Sequence, residues 1–237
     1  MFPFSERLVL DRDHHVHYSD VITHIGPQLT PERVAKIDRV VEGRTFTPVV
    51  VLENIYDRGN ASAVFRSAEA MGFGQVHMVE LGEKFRESQR TTAGADKWVE
   101  IKKWKSTQEC VQKLREQGKK IIVTHLDATS VPIDEVDFSQ PTAFVLGNEK
   151  DGVSPEMIEA ADHRVILPMK GFVQSFNISV AGALGLWHIM KDRERRLGYQ
   201  GDLSATEKEI LKAIYYLRTQ DSAEKSLKEL RSRGLLK

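Results

Sequence analysis

Short runs of β-branched and other apolar residues recur along this chain with apolar side chains at consecutive positions: VVVL at 49–52, IIV at 121–123, AFVL at 143–146. A strand that is apolar on both sides has both faces covered, the condition of a parallel sheet lined by helices. The strand-like segments TPVVVLEN, QVHMVEL, KWVEIKKW, KIIVTHL, PTAFVLG and HRVILPM are separated by helical ones. ASAVFRSAEAM, capped at Asn60, stops at Gly72, STQECVQKLREQ stops at Gly118, and a long helix from Asn177 to Gly198 closes the series. Alternation of this kind predicts an α/β fold with a mostly parallel sheet and helices on both faces.

The flanks read as accessories to residues 47–198. In residues 1–46, Thr30 caps a short helix with Pro31 at its first position that runs through Val41 to a stop at Gly43. The close histidines His14, His15 and His17 have no acidic or cysteine partner at ligand spacing, so the first 30 residues read as a disordered or surface arm, and no metal is expected. In residues 199–237, SATE and DSAE each have the form of a capping box and predict two short helices.

Composition excludes more than it selects. Lys plus Arg and Asp plus Glu number 34 each, so net charge does not announce a nucleic-acid binder. Residues 191–237 and 83–105 are mildly basic, which fits a solvated helix face as well as a phosphate-contacting patch. The single Cys110 fits an apolar helix face better than a nucleophile's position. No run approaches the ~18 apolar residues of a membrane span, and charges stand close to Met1, so a cytoplasmic protein is expected. Dinucleotide, Walker, HExxH and GxSxG signatures are absent, which disfavours oxidoreductase, NTPase, zinc protease and α/β-hydrolase chemistry.

Polar residues gather instead in three clusters at strand ends. In NIYDRGNASAVFR, Asn60 reads either as a helix cap or as a site residue, and Arg66 either as a surface ion-pair residue or as a catalytic cation. In LGNEKDGVSPE, glycines permit tight turns around Glu149, a carboxylate that either caps backbone N–H groups or orients a cation. In PMKGFVQSFNIS, Gln174, Ser175 and Asn177 precede the long helix, which Asn177 can cap; uncharged groups so close together also suit a ligand carboxylate or ribose.

NASAVFR, LGNEKDGVS and ILPMKGFVQSFNISVAGAL, in this order and spacing, resemble the three signature motifs of the SPOUT RNA methyltransferases, in the TrmH (SpoU) branch. The resemblance covers about residues 47–196 and implies a deep trefoil knot in the C-terminal half of the sheet, S-adenosylmethionine (AdoMet) as cofactor, and a homodimer with sites near the interface. It implies methyl transfer to a ribose 2'-hydroxyl, most like the tRNA-acting members on a guanosine of the D-loop. The alternatives are a ribosomal RNA substrate or a non-catalytic RNA-binding protein. Carried over by position, Arg66 acts on the 2'-hydroxyl, Asn60 and Glu149 set the site, and Ser175 and Asn177 position substrate or cofactor. Thr124, Leu146, Gly147, Leu167, Met169, Ser175 and Phe176 fall at cofactor positions. Tertiary grip on RNA is expected from Arg66, Arg90, Lys97, Arg195 and Arg196, helped by Lys208 and Lys212 in the tail.

Overall fold

The computed structural model describes residues 2–11, 14–80, 94–220, 222–234 and 236, so the expectation for Arg90 lies outside the described residues. The chain divides into two compact units, residues 45–200 and a discontinuous unit of residues 1–44 and 201–237.

In the discontinuous unit, the expected loose arm is folded. Strands β1 (Arg7–Val9) and β2 (His15–His17) form an antiparallel hairpin, and helix α1 (Tyr18–Ile25) follows directly. The reason is the apolar set Leu8, Val16, Val21 and Ile25, all buried, which sequence spacing this short does not advertise. The metal question also changes its terms, since His14 Nδ1 lies 2.7 Å from Asp11 Oδ1, a local pair and not a ligand set. Helix α2 (Pro31–Glu42) starts as expected, with Thr30 Oγ1 accepting from Arg33 N–H at 3.3 Å.

The larger unit is a seven-stranded sheet in which every neighbouring pair is parallel. Its strands are β3 (Val49–Glu53), β4 (Gln75–Val79), β5 (Glu100–Trp104), β6 (Lys120–Thr124), β7 (Val131–Pro132), β8 (Thr142–Leu146) and β9 (His163–Ile166), in the order β5-β4-β3-β8-β6-β9-β7. Among the described residues its helices are α3 (Arg58–Ala70), α4 (Thr107–Glu116), α5 (Pro155–Glu159) and α6 (Ile178–Leu197). Helices α7 (Ala205–Thr219) and α8 (Ala223–Ser232) belong to the discontinuous unit. The capping box expected at Ser204 and Glu207 forms on α7, and the one expected in DSAE starts at Asp221, outside the described residues.

The period of the strands explains their continuous apolarity. Val50, Leu52, Phe144 and Leu146 point to one face, where they meet Val64 and Phe65 of α3 and Leu186 and Ile189 of α6. Val49, Val51, Val145 and Val123 point to the other, against Cys110 and Leu114 of α4 and Met157 of α5. Each fully buried Val, Leu or Phe contributes roughly 1.5–3 kcal/mol. Cys110 is therefore a core residue, and its burial pushes the thiol pKa up to about 12. Helix α6 lies close to the sheet because of its glycines: a Cβ on Gly185 would stand 2.4 Å from the Phe144 ring. Among the described residues no helix is long and apolar enough to cross a membrane.

Candidate active site

Parallel strands deliver their carboxyl ends to one edge, and the loops leaving β3, β8 and β9 carry the three polar clusters. The first differs from expectation at its start. Asp57, not Asn60, caps α3, its Oδ1 accepting the N–H of Asn60 at 3.0 Å. Asn60 thus lies inside the first turn with its side chain free for other work. Its Nδ2 donates to Glu149 Oε1 at 2.6 Å, and its Oδ1 accepts from Asn177 Nδ2 at 3.3 Å. One side chain joins all three clusters. Asn177 also caps α6, Oδ1 accepting from Ser179 N–H at 2.9 Å, as its place before the long helix predicts.

The loop bearing Glu149 is a tight antiparallel turn, with Asn148 and Gly152 exchanging both backbone hydrogen bonds at 3.1 Å. Asn148 Oδ1 takes the N–H groups of Lys150 and Asp151 at 2.9 and 2.7 Å. A Cβ on Gly147 would come within 2.1 Å of the Gly152 backbone, so only glycine lets the turn fold back this closely.

Sequence reasoning missed the residue that anchors this loop. Glu53, the last residue of β3, is buried at 1% exposure, yet it is satisfied by three donors. Thr107 Oγ1 at 2.7 Å comes from the start of α4; Ser154 N–H at 2.8 Å and Ser154 Oγ at 2.7 Å come from the cap of α5. A buried carboxylate needs such partners. The signal available in the sequence was an acidic residue ending an otherwise apolar strand.

Other expected residues do not join the cluster. Arg66 is exposed on α3 and has no hydrogen-bond or ion-pair partner among the described residues. Ser175 and Phe176 are exposed on the segment 167–177, which has no helix or strand, while Leu167 packs partly against the core and Met169 is half-buried. Thr124, Leu146 and Gly147 end β6 and β8, adjacent strands, and Thr124 Oγ1 donates to Val145 O at 3.0 Å. Of the cations expected to grip RNA, Lys97 lies over the Trp98 ring, and Arg195 and Arg196 both pair with the buried Asp192. Burial pushes the Asp192 pKa up, but bonds from Arg195, the Phe138 N–H and Arg196 outweigh it and hold the carboxyl below its usual range. In the other unit, Lys208 and Lys212 are likewise taken up by Glu42 and Asp38.

A parallel α/β sheet that gathers amide and carboxylate side chains beyond the carboxyl ends of its strands defines the ligand-binding type of α/β protein. Residues 47–187 match the SpoU rRNA methylase family, and the chain belongs to that family. It is 36% identical over 166 residues to the tRNA (guanosine(18)-2'-O)-methyltransferase of Escherichia coli, covering 70% of this chain and 72% of that one. The Aquifex aeolicus TrmH/SpoU tRNA modifying enzyme superposes with a TM-score of 0.72 at 33% identity, over 80% of this chain and 96% of that one. An AdoMet-bound rRNA methyltransferase from Sinorhizobium meliloti superposes with a TM-score of 0.57 at 26% identity, over 68% of this chain and 60% of that one.

Proposed function

We propose that this protein transfers a methyl group from AdoMet to a ribose 2'-hydroxyl of tRNA, on a guanosine of the D-loop, in the cytoplasm. The observation that carries this reading is the hydrogen-bonded meeting of Asn60, Glu149 and Asn177, one residue from each signature motif. The higher identity to a tRNA-acting relative favours tRNA over ribosomal RNA.

The residues present fit the cofactor. Leu167 and Met169, both half-buried, offer apolar surface just beyond β9, and the buried Leu146 ends β8 two strands away. The stretch 168–176 makes no backbone hydrogen bond to other described residues, leaving its N–H and C=O groups to a purine and its ribose. Thr124, Gly147, Ser175 and Phe176 complete the set. When bound, AdoMet supplies an electrophilic sulfonium methyl. The chain's part is to aim the ribose oxygen and stabilise it as its proton leaves. Asn60, fixed by Glu149 and Asn177, holds the geometry of the three loops. Arg66 supplies a permanent positive charge to the developing alkoxide, a role that suits a guanidinium with a pKa above ~12 better than proton abstraction does.

Two copies would form the working unit. Support comes from the outer face of α6, where Val180, Leu184 and Trp187 are exposed at 44%, 43% and 51% with helical spacing. The order β8-β6-β9-β7, in which the chain returns past strands already laid down, supports the knotted crossing that the resemblance implies.

The test is transfer of labelled methyl from AdoMet to purified unmodified tRNA and rRNA, with nuclease mapping of the product. Label on a D-loop ribose is the expected result. Label confined to rRNA would keep the chemistry and replace the substrate, and no label despite AdoMet binding would leave an RNA-binding protein without turnover.

A further inference from the structure

Several cations of the sheet unit are neutralised within it. Lys103, Arg115, Arg164, Lys191, Arg195 and Arg196 lie against Glu80, Asp162, Asp127, Glu194 and, for the last two, Asp192. Arg58, Lys150 and Lys170 are different. All three are exposed, and none of their side chains has a hydrogen-bond, ion-pair or ring partner among the described residues. Each stands on a segment that the Asn60 cluster ties together: Arg58 opens α3, Lys150 follows Glu149 in the tight turn, and Lys170 lies between β9 and Asn177. Among the described residues of this unit, the other cations whose side chains have no partner are Arg66, already assigned to the site, and Lys105 and Lys120, which lie on none of the three segments.

Carboxylates on the same segments do not hold these cations in ion pairs: Asp57 accepts the N–H of Asn60, Glu149 accepts from the Asn60 side chain, and the exposed Asp151 forms no ion pair among the described residues, so the three cationic heads are left to reach outward. Two of the cations also have an exposed aromatic ring two residues away in the chain. Tyr56, 61% exposed, precedes Arg58, and its hydroxyl accepts from Asn54 Nδ2 at 3.3 Å; the fully exposed Phe172 follows Lys170. Cations interleaved with open rings match the phosphates and unstacked bases of a looped RNA.

We propose that Arg58, Lys150 and Lys170, with Tyr56 and Phe172, form the surface that holds RNA around the reacting ribose: the cations take backbone phosphates and the rings stack on flanking bases. This rests on the RNA methyltransferase reading above, and it moves the grip from the C-terminal tail to the rim of the site.

The experiment compares two triple variants of the full chain. One is Arg58→Gln with Lys150→Gln and Lys170→Gln. The other changes Lys36, Arg39 and Lys225 to Gln, exposed cations of the discontinuous unit that also lack partners among the described residues. Affinity for an unmodified tRNA transcript is measured at several salt concentrations, and AdoMet affinity by calorimetry reports that each variant keeps its site. The rim variant should lower the slope of log Kd against log salt by about 2 to 3, since each phosphate contact contributes about 0.7 to 0.9, with AdoMet affinity unchanged. Tyr56→Ala should weaken binding with no change in slope. An unchanged slope in the rim variant, or a loss confined to the other triple, would overturn the surface while leaving the methyltransferase reading intact. Wild-type protein that binds neither tRNA nor rRNA would overturn both.

Discussion

Asn60 and Glu149, 89 residues apart in the chain, share a side-chain hydrogen bond of 2.6 Å, and the same Asn60 accepts from Asn177. A residue that fails as a helix cap is thus the one that joins the three loops. Asn60→Ala and Glu149→Gln should each reduce methyl transfer, and a double-mutant cycle should return a coupling of about 0.5–3 kcal/mol. Additive effects would mean that the bond does not matter to the reaction.

Arg66 has no structural partner to lose among the described residues. Arg66→Ala and Arg66→Lys should therefore leave the thermal midpoint within a few degrees and AdoMet binding intact. Methyl transfer should fall by about 10²-fold or more, the scale of a missing charge stabiliser at a reacting oxygen. Retention of near-normal transfer by Arg66→Lys would show that a compact ammonium serves as well and would remove the guanidinium from the mechanism.

Glu53 is predicted to matter for both stability and site geometry. Glu53→Gln turns one acceptor into a donor that faces Thr107 or Ser154, at a cost of about 1–3 kcal/mol for a buried polar group left unpaired. Because Ser154 ends the loop that Gly147 and Glu149 share, AdoMet affinity should weaken too. Urea denaturation and calorimetry report the two effects separately. An unfolding midpoint equal to wild type would refute the anchoring role.

Acid should destabilise the sheet unit through His77. This residue is fully buried, accepts from Trp104 Nε1 at its Nδ1 at 3.1 Å, and meets Gln75 Oε1 with Nε2 at 3.0 Å, a pattern that holds the neutral ring. Burial, with Lys102 and Lys119 nearby, lowers its pKa to about 3 from 6.5. The unfolded chain binds the proton first as pH falls, so stability is complete above about pH 6.5 and declines toward pH 3 by up to ~1.4 kcal/mol per unit from this group. His77→Phe should flatten stability in that window, though it lowers the plateau by stranding the Trp104 N–H. The measurement is the urea midpoint from pH 7 to pH 4, and equal slopes in both proteins would exclude His77 as the cause.

Much of this fold could be read from the chain because its strands are covered on both faces, and a run such as Val49 to Leu52 leaves no period other than that of a buried strand. Helix ends were legible where a side chain caps by itself, as at Thr30 and Ser204. Reading failed where two residues compete for one role. Asp57 and Asn60 are both good caps, and only the three-dimensional pull of Glu149 decides between them. Strands β1 and β2 were missed because each is three residues long with one buried apolar residue, Leu8 and Val16, too few to show a period. Family motifs pointed to Asn60, Glu149 and Asn177 together, but not to Glu53, whose partners Thr107 and Ser154 lie 54 and 101 residues away.

The discontinuous unit has a consequence for biosynthesis. Helix α1 packs against α7, and Gly26 at its end sits under the Tyr216 ring, close enough that a Cβ would be 3.1 Å away. A ribosome adding about 5–20 residues per second needs on the order of 10–40 s to pass from one to the other. During that interval Val21 and Ile25 are exposed on a nascent segment whose cover has not been made, while the sheet behind them can already form. The amino end of this protein is the first part to be made and among the last to be finished.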